Sequence, residues 1–226
     1  MAIVRQPLFC IFVVMKRFFT ILALCVALAT YGGAQAQTYF KLNALYALAG
    51  VVNPQFEFVI SPHSAVQVEA VYSPWRSICG QHAHFGIFMG EYRYYFREAA
   101  KGWYVTGNAG LMGFDVSKPR LFYNGKLIDF KDSYSKGFGI LVGLGAGYQH
   151  TFKERWVVDA FVSIDIFRSW YNGYYHDGRI EMNPHGHEDY TYPDPFNGSS
   201  ELVPAKIGVS IGYKIFDPAK PRRKSK

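Results

Sequence analysis

The residues best suited to metal chemistry lie in one polar stretch late in the chain, residues 168–204. It contains His185-Gly186-His187, followed directly by Glu188 and Asp189. A His-x-His pair followed by carboxylates can bind a transition metal when the segment folds so that its side chains converge. No further ligand on a predicted strand joins this group. We therefore favour a polar surface loop and predict no metal site and no cofactor.

Nucleophilic catalysis needs a serine or cysteine beside a base that is itself oriented by a third group. His63 and Ser64 are adjacent, but they fall in a short predicted turn, without an acid at a matching position. Gly143, Gly145 and Gly147 resemble a phosphate-binding loop only superficially. Their spacing of two is more simply read as room for packing along one face of a strand. We predict no catalytic residues, and a protein that is not an enzyme.

The start of the chain is typical of an exported protein. Met15-Lys16-Arg17 is a basic segment, the run 18–29 is apolar, and Ala34-Gln35-Ala36 places small residues before a cut. This pattern predicts a cleaved signal peptide over residues 1–36, with Met15 as the expected initiator. The mature chain then begins at Gln37.

The cysteines allow one alternative to this cut. A lipoprotein would be cleaved before Cys25, but Leu22-Ala23-Leu24 puts a bulky leucine where such precursors usually have a small residue. Cys10 and Cys25 both precede the predicted cut, which leaves Cys79 as the one mature thiol. A single thiol cannot form an internal disulfide, so no disulfide framework is expected.

The formal net charge of +7 is concentrated at the two ends of the chain. Basic residues lie in the targeting segment and in the tail 217–226, while the body between them is close to neutral. This distribution favours a solvated basic tail over a nucleic-acid-binding or headgroup-binding patch, so we predict no nucleic-acid partner.

The body of the chain has the pattern of β-strands. The 17 tyrosines and 19 phenylalanines favour strands, and the apolar run 18–29 is shorter than the roughly 20 residues of a membrane-spanning helix. From Thr38 onward the hydrophobicity alternates with a period of two. The predicted strands are 38–48, 55–61, 64–73, 84–97, 102–114, 137–151, 156–167 and 205–215.

Each predicted strand has one apolar face and one polar face. The charged residues of the polar face are Lys41, Glu57, Glu69, Glu91, Arg93, Asp159, Asp165, Lys206 and Lys214. Five acids and four bases facing the same way suit a narrow lumen in which buried charges must pair. Eight strands leave an interior that side chains just fill, so we expect a plugged barrel and not a pore.

The direction of the two faces separates a membrane barrel from a soluble one. Aromatic residues fall near strand ends on the apolar face, as the interfacial girdles of membrane barrels require. They are Trp103, Trp156, Tyr72, Tyr92, Tyr94, Phe96, Tyr148 and Tyr213. Short connections alternate with the longer segments 74–83, 115–136 and 168–204, as in outer-membrane barrels. The alternative is a periplasmic lipocalin-like barrel that binds a small ligand on an inward apolar face.

Two segments point to partners. Residues 121–128 read as a hairpin with an Asn124-Gly125 turn, whose apolar residues either form a partner surface or pack on a neighbouring loop. The last strand, 206–216, resembles the terminal strand by which barrels are recognised for assembly. The expected partners are thus outer-membrane lipid, the barrel-assembly machinery and an extracellular partner bound by the loops.

Several stretches resemble a known family. They are KLNALYALAGVVNPQFEF (41–58), VEAVYSPW (68–75), EYRYYF (91–96), WYVTGNAG (103–110) and GLGAGYQHTF (143–152). They are similar to the domain of unknown function numbered 3575, with Asn-Pro and Tyr-Ser-Pro-Trp as the most specific parts. The resemblance implies an outer-membrane β-barrel of Bacteroidota, and it implies no activity and no catalytic residues.

Taken together, the sequence predicts an all-β protein with a barrel over residues 37–216. The barrel is an eight-stranded antiparallel up-and-down transmembrane β-barrel of the outer-membrane type. It would present its long loops outside the cell for a structural role or for binding a partner or ligand.

Overall fold

The structure is a computed structural model that describes residues 37–78, 81–117, 121–123, 126–128, 133–175, 178–179 and 197–217. The predicted signal peptide, Cys79, the histidines at 176, 185 and 187, and the tail beyond residue 217 lie outside these residues.

Strands dominate the described chain. They are β1 (Thr38–Asn43), β2 (Pro54–Ser61), β3 (Ser64–Ile78), β4 (Gln81–Tyr95), β5 (Gly102–Val116), β6 (Leu121–Tyr123), β7 (Lys126–Ile128), β8 (Ser133–Phe152), β9 (Trp156–Tyr175), β10 (Gly178–Arg179) and β11 (Asn197–Phe216). One short helix, α1 (Ala44–Leu48), follows β1. No helix among the described residues is long and apolar enough to cross a membrane.

Eight of these strands close on themselves. The order is β11-β1-β2-β3-β4-β5-β8-β9, and β9 pairs with β11 to complete the ring. Every pairing in the ring is antiparallel, and each strand lies beside its neighbours in the chain order. The predicted eight-stranded antiparallel up-and-down barrel is therefore confirmed. Closure satisfies the backbone groups that an open sheet would leave exposed at its edges.

The first predicted strand is too long. It was expected to reach residue 48, but the strand ends at Asn43 and the chain turns into α1. The Asn43 side chain accepts hydrogen bonds from the backbone N–H of Leu45 at 3.1 Å and of Tyr46 at 3.4 Å. Asparagine is a favoured helix N-cap, and Ala and Leu in the next residues favour a helix. The Asn43 cap thus ends the strand, which the alternation pattern predicted to continue to residue 48.

The later strands are longer than predicted, so the long connections are shorter. Of the expected loop 168–204, residues up to Tyr175 belong to β9 and residues from Asn197 to β11. The expected loop 74–83 is largely strand on both sides of residues 79–80. These extensions mix aromatic, polar and proline residues, for example Trp75 and Trp170, without a regular alternation. Hydrophobic alternation therefore does not detect them, whereas pairing with the neighbouring strand holds them. The pairing of Leu121 with Ile128 confirms the two arms of the predicted hairpin, whose Asn124-Gly125 turn lies outside the described residues.

The barrel has two distinct ends. The lower end carries the turns at 62–63, 96–101 and 153–155, together with the start of β1 and the end of β11. The upper end carries α1, the last residues of β3, β5 and β9, and the first residues of β4, β8 and β11. At the lower end, the turn 96–101 folds beneath the lumen, where Ala100 is fully buried against Tyr39 and Val157. The backbone N–H of Ala99 donates to the carbonyl of Pro62 at 2.7 Å and fixes this turn.

The outer wall is apolar and is bounded by aromatic rings. On β8 the outward residues from Phe138 to Tyr148 include Leu144, whose side chain is 75% exposed. Ten residue steps cover about 34 Å of strand, or about 25 Å along the axis at the usual tilt of membrane barrels. Trp103 packs edge-on against Tyr148 and Trp156 against Tyr213, each with ring centroids 5.2 Å apart. Seven of the eight predicted girdle residues lie near the lower end of the barrel, and Tyr72 lies near the upper end.

Candidate functional site

The polar face predicted from alternation points into the barrel. Eight charged side chains are buried there, and none is more than 6% exposed. They are Lys41, Glu57, Glu69, Glu91, Arg93, Asp159, Asp165 and Lys206. The outward neighbours of these residues are apolar and exposed, for example Leu42 and Tyr92. The lumen is therefore the polar compartment of the molecule.

A dense group of ion pairs fills the lower half of the lumen. Lys41 Nζ lies 2.9 Å from Glu57 Oε2 and 2.7 Å from Asp159 Oδ2. Arg93 reaches the same Asp159 oxygen at 2.6 Å through its terminal nitrogen, and Glu91 at 2.5 Å through Nε. We call Lys41, Glu57, Glu91, Arg93 and Asp159 the lumen cluster. It joins strands β1, β2, β4 and β9, so it ties opposite walls together.

Two tyrosines and a glutamine complete the lumen cluster. The Tyr104 hydroxyl donates to Asp159 Oδ1 at 2.7 Å, and the Arg93 guanidinium lies 4.5 Å from the centre of the Tyr104 ring. The Tyr95 hydroxyl lies in hydrogen-bond contact with Glu57, and it is 2.8 Å from Gln149 Oε1. Sequence analysis did not assign Tyr95 and Tyr104 to the lumen. Their parity would have revealed them, since Tyr94 and Trp103 beside them face outward.

A second ion group lies above the lumen cluster and is connected to it. Lys206 Nζ is 3.0 Å from Glu69 Oε1, and it also contacts Glu91. Because Glu91 binds both Arg93 and Lys206, one continuous chain of charges runs along the lumen. This pairing offsets the several kcal/mol of hydration that each buried charge loses.

The upper end of this chain of charges lies under α1. A void of about 10 Å³ beside Lys206 and Glu69 is lined also by Tyr46 of α1 and by Asn53. Burial, followed by the negative charge of Glu69, raises the pKa of the Tyr46 phenol above its ordinary value. A void of this size holds at most about one water molecule.

The predicted balance of lumen charges is wrong in one respect. Lys214, the fourth base, lies at the lower end and pairs with Asp217 at 3.3 Å instead of with the lumen acids. The buried lumen thus holds three cations and five carboxylates. Asp165 is fully buried and receives hydrogen bonds from Ser163 at 2.8 Å and Asn108 at 3.3 Å. Among the described residues it has no cationic partner.

The lumen glycines make room for these side chains. A Cβ on Gly143 would collide with Asp165, one on Gly147 with Tyr104, and one on Gly212 with Lys41. The expectation that Gly143, Gly145 and Gly147 provide packing space is confirmed. A large lumen residue on one strand faces a glycine on the next, which is how a narrow interior accepts long charged side chains.

His63 and Ser64, which were considered for nucleophilic catalysis, do not meet in a catalytic arrangement. His63 Nδ1 lies 3.1 Å from the carbonyl of Tyr95, and Ser64 Oγ lies 2.7 Å from the hydroxyl of Tyr92. The pair therefore belongs to the packing of the lower turn. Among the described residues, no group of three or more His, Cys, Asp or Glu side chains could hold a metal ion.

The two most specific motifs of the family resemblance meet at the upper end. The isolated bridge between Val52 and Tyr72 joins the segment before Asn53-Pro54 to the Tyr-Ser-Pro-Trp segment. Asn53 Nδ2 donates to the carbonyl of Ala70 at 2.9 Å, and Trp75 Nε1 donates to that of Ala49 at 2.9 Å. These bonds fasten α1 and its loop to β3.

Comparisons with known proteins identify a family but no activity. A search of curated proteins found no match. Among solved structures, the chain is similar to the N-terminal β-barrel domain of Pseudomonas aeruginosa OprF, with 10% identity and a TM-score of 0.35. That match covers 79% of this chain and 95% of the OprF domain. The model of one family, described as "Protein of unknown function (DUF3575)", matches residues 18–215. This chain belongs to the DUF3575 family.

Proposed function

We propose that this protein is an integral outer-membrane barrel whose lumen is closed, and which presents its upper connections outside the cell for a structural role or for binding a partner. The observation that carries the proposal is the inversion of the two faces. Charged side chains are buried inside, while residues such as Leu144 and Ile166 are exposed on the outer wall. In water, an exposed apolar wall of this extent would be a strong aggregation surface.

Three properties support the closed lumen. The lumen cluster binds opposite walls at distances of 2.5–2.9 Å. Ala100 and Tyr39 block the lower end, and both are at most 1% exposed. An eight-stranded barrel is also too narrow to hold an aqueous channel beside such side chains. The interior therefore acts as a rigid polar core and not as a transport path.

The lipocalin-like alternative requires an apolar interior that can hold a small ligand. Here the lower half of the lumen is filled by Arg93, Asp159 and Lys41, which are fully buried. Such an interior has neither the volume nor the polarity for an apolar ligand.

Replacing one outward residue distinguishes the two functions. Leu144→Arg places a charge on the outer wall, and at the middle of a bilayer this costs about 2–4 kcal/mol. We expect Leu144→Arg to reduce strongly the amount of protein in the outer-membrane fraction, with Leu144→Met as the matched control. In a soluble lipocalin-like barrel, Arg at a 75% exposed position would be harmless. Equal recovery of both variants in the soluble periplasm would refute the proposal.

A further inference from the structure

A groove of about 730 Å³ lies on the outer wall of the barrel, near its upper end. Its floor consists of Gly86 on β4 and Gly113 on β5, which pair directly across the two strands. A Cβ on Gly113 would meet nothing within 4 Å, and one on Gly86 only a backbone oxygen at 3.9 Å. Tyr72 on one side and Phe138 on the other are about half exposed and form the side walls. Because glycine has no side chain, the space above Gly86 and Gly113 stays open and forms the groove.

Basic residues line the groove above this floor. Lys136 on β8 is aligned with Asp115 on β5, and Asp115 with His84 on β4. Arg76 on β3 adds a second permanent positive charge. Arg76 and Lys136 are exposed, and their side chains form no ion pair or hydrogen bond with other described residues. Asp115 instead lies 2.9 Å from His82 Nδ1.

An aromatic stack forms the upper edge of the groove. The His82 ring lies 4.3 Å from the Tyr134 ring with the planes 4° apart, and Tyr134 lies 5.3 Å from Tyr174 with the planes 14° apart. The Tyr72 hydroxyl is 3.3 Å from His84 Nε2. These contacts hold the histidines at defined positions beside the two cations.

The groove is continuous with the apolar outer wall. Toward the lower end, Leu111 lies two residues from Gly113 on β5 and is 59% exposed. Ile140 lies two residues from Phe138 on β8 and is 42% exposed. A ligand in the groove would thus touch cationic and hydroxyl groups at one end and an apolar wall at the other. This polarity matches an anionic lipid, whose acyl chains lie along the wall while its phosphate lies beside the cations.

We infer that this groove binds the phosphorylated headgroup of a lipid in the outer leaflet. Arg76 and Lys136 are the phosphate-binding residues, because charge-assisted hydrogen bonds to phosphate are among the strongest that side chains make. The glycine floor admits the sugar or glycerol part of the headgroup, and Tyr72 and Phe138 enclose it. The inference rests on the proposed outer-membrane location.

The test uses the full chain, purified in detergent micelles, with diphosphorylated lipid A as the probe. Native mass spectrometry measures how much lipid stays bound over a titration. We expect Arg76→Gln/Lys136→Gln to weaken binding roughly tenfold or more. Lys101→Gln/Lys153→Gln, which removes the same charge at the lower end, should change it less than about twofold. Gly113→Leu should weaken binding without a change in charge, because it fills the floor.

Each contrary result is distinct. Equal binding of lipid A from which both phosphates have been removed would overturn the inference. Unchanged binding by Arg76→Gln/Lys136→Gln or by Gly113→Leu would place the lipid elsewhere and overturn it as well. If the protein is recovered in the outer-membrane fraction but binds no lipid A, this inference alone fails. Recovery as a soluble protein would mean that the proposed function fails.

Discussion

Arg93 and Asp159 bind each other across the lumen, with 2.6 Å between the guanidinium nitrogen and the carboxylate oxygen. They lie 66 residues apart in the chain. Their strands, β4 and β9, are separated in the ring by β5 and β8. The same carboxylate oxygen also receives Lys41 at 2.7 Å. Asp159 is thus the point at which three walls of the barrel are joined.

Asp159→Asn should therefore destabilise the barrel by about 3–5 kcal/mol, because it removes the buried carboxylate that Lys41 and Arg93 share. Unfolding by urea in detergent micelles or lipid vesicles measures this change. The matched control is Glu98→Gln, which breaks an exposed pair with Lys101 at 2.8 Å and should cost less than about 1 kcal/mol. Equal effects of the two substitutions would mean that the lumen cluster contributes no more than a surface pair.

The closed lumen predicts that the protein does not let small solutes through. Liposomes containing the wild-type barrel should not swell in a pentose solution, whereas liposomes with a general porin should. Arg93→Ala/Tyr104→Ala removes the stacked pair from the lower half of the lumen, so it should increase permeability. Swelling with the wild-type protein would contradict the closed lumen.

Two glycines allow the backbone to be tested without changes in packing. A Cβ at Gly90 or at Gly102 would meet nothing within 4 Å, but Gly102 has a φ of +88°. Gly102→Ala should therefore cost about 1–2 kcal/mol of stability, because side chains disfavour this conformation. Gly90→Ala should be neutral or slightly stabilising. Similar unfolding midpoints for both variants would show that the turn before β5 relaxes without cost.

The connection between β9 and β11 tests the topology. Its prolines and polar composition predict that protease added to intact cells cuts within 176–196 and leaves the strands protected. Asn197 to Ser200 pair with β9, so a deletion that extends to residue 200 would also remove paired strand. Deleting 180–196 should instead spare assembly and abolish partner binding. Cleavage only after the outer membrane is permeabilised would invert the topology.

The mature N-terminus should be Gln37, and mass spectrometry of the purified protein should find it free or as pyroglutamate. Gln37 already contacts the barrel, because its carbonyl accepts from Val59 N–H at 3.0 Å and its side chain from the Tyr39 hydroxyl at 3.0 Å. A lipid-modified Cys25 at the start of the mature protein would contradict this cut.

The sequence by itself determined the barrel and the direction of its faces. A side chain's face in a strand depends only on residue parity, so Lys41, Glu57 and Arg93 could be placed together without any knowledge of contacts. Glycines at alternate positions, such as Gly143 and Gly147, indicated the lumen side for the same reason. The family resemblance was also present in short segments, and the family match over residues 18–215 confirms it.

Only the tertiary structure decided which of these groups meet. Parity says that Asp159 points inward, but the register of eight strands decides that it receives Lys41 and Arg93 while Lys214 pairs with Asp217. The helical turn after Asn43 was missed because a side-chain cap competes with alternation over only a few residues. The outer groove was missed because its floor is formed by two glycines that are distant in the chain. Gly86 and Gly113 lie 27 residues apart, and only strand pairing places them side by side. Register and closure are long-range properties, and a local sequence pattern does not contain them.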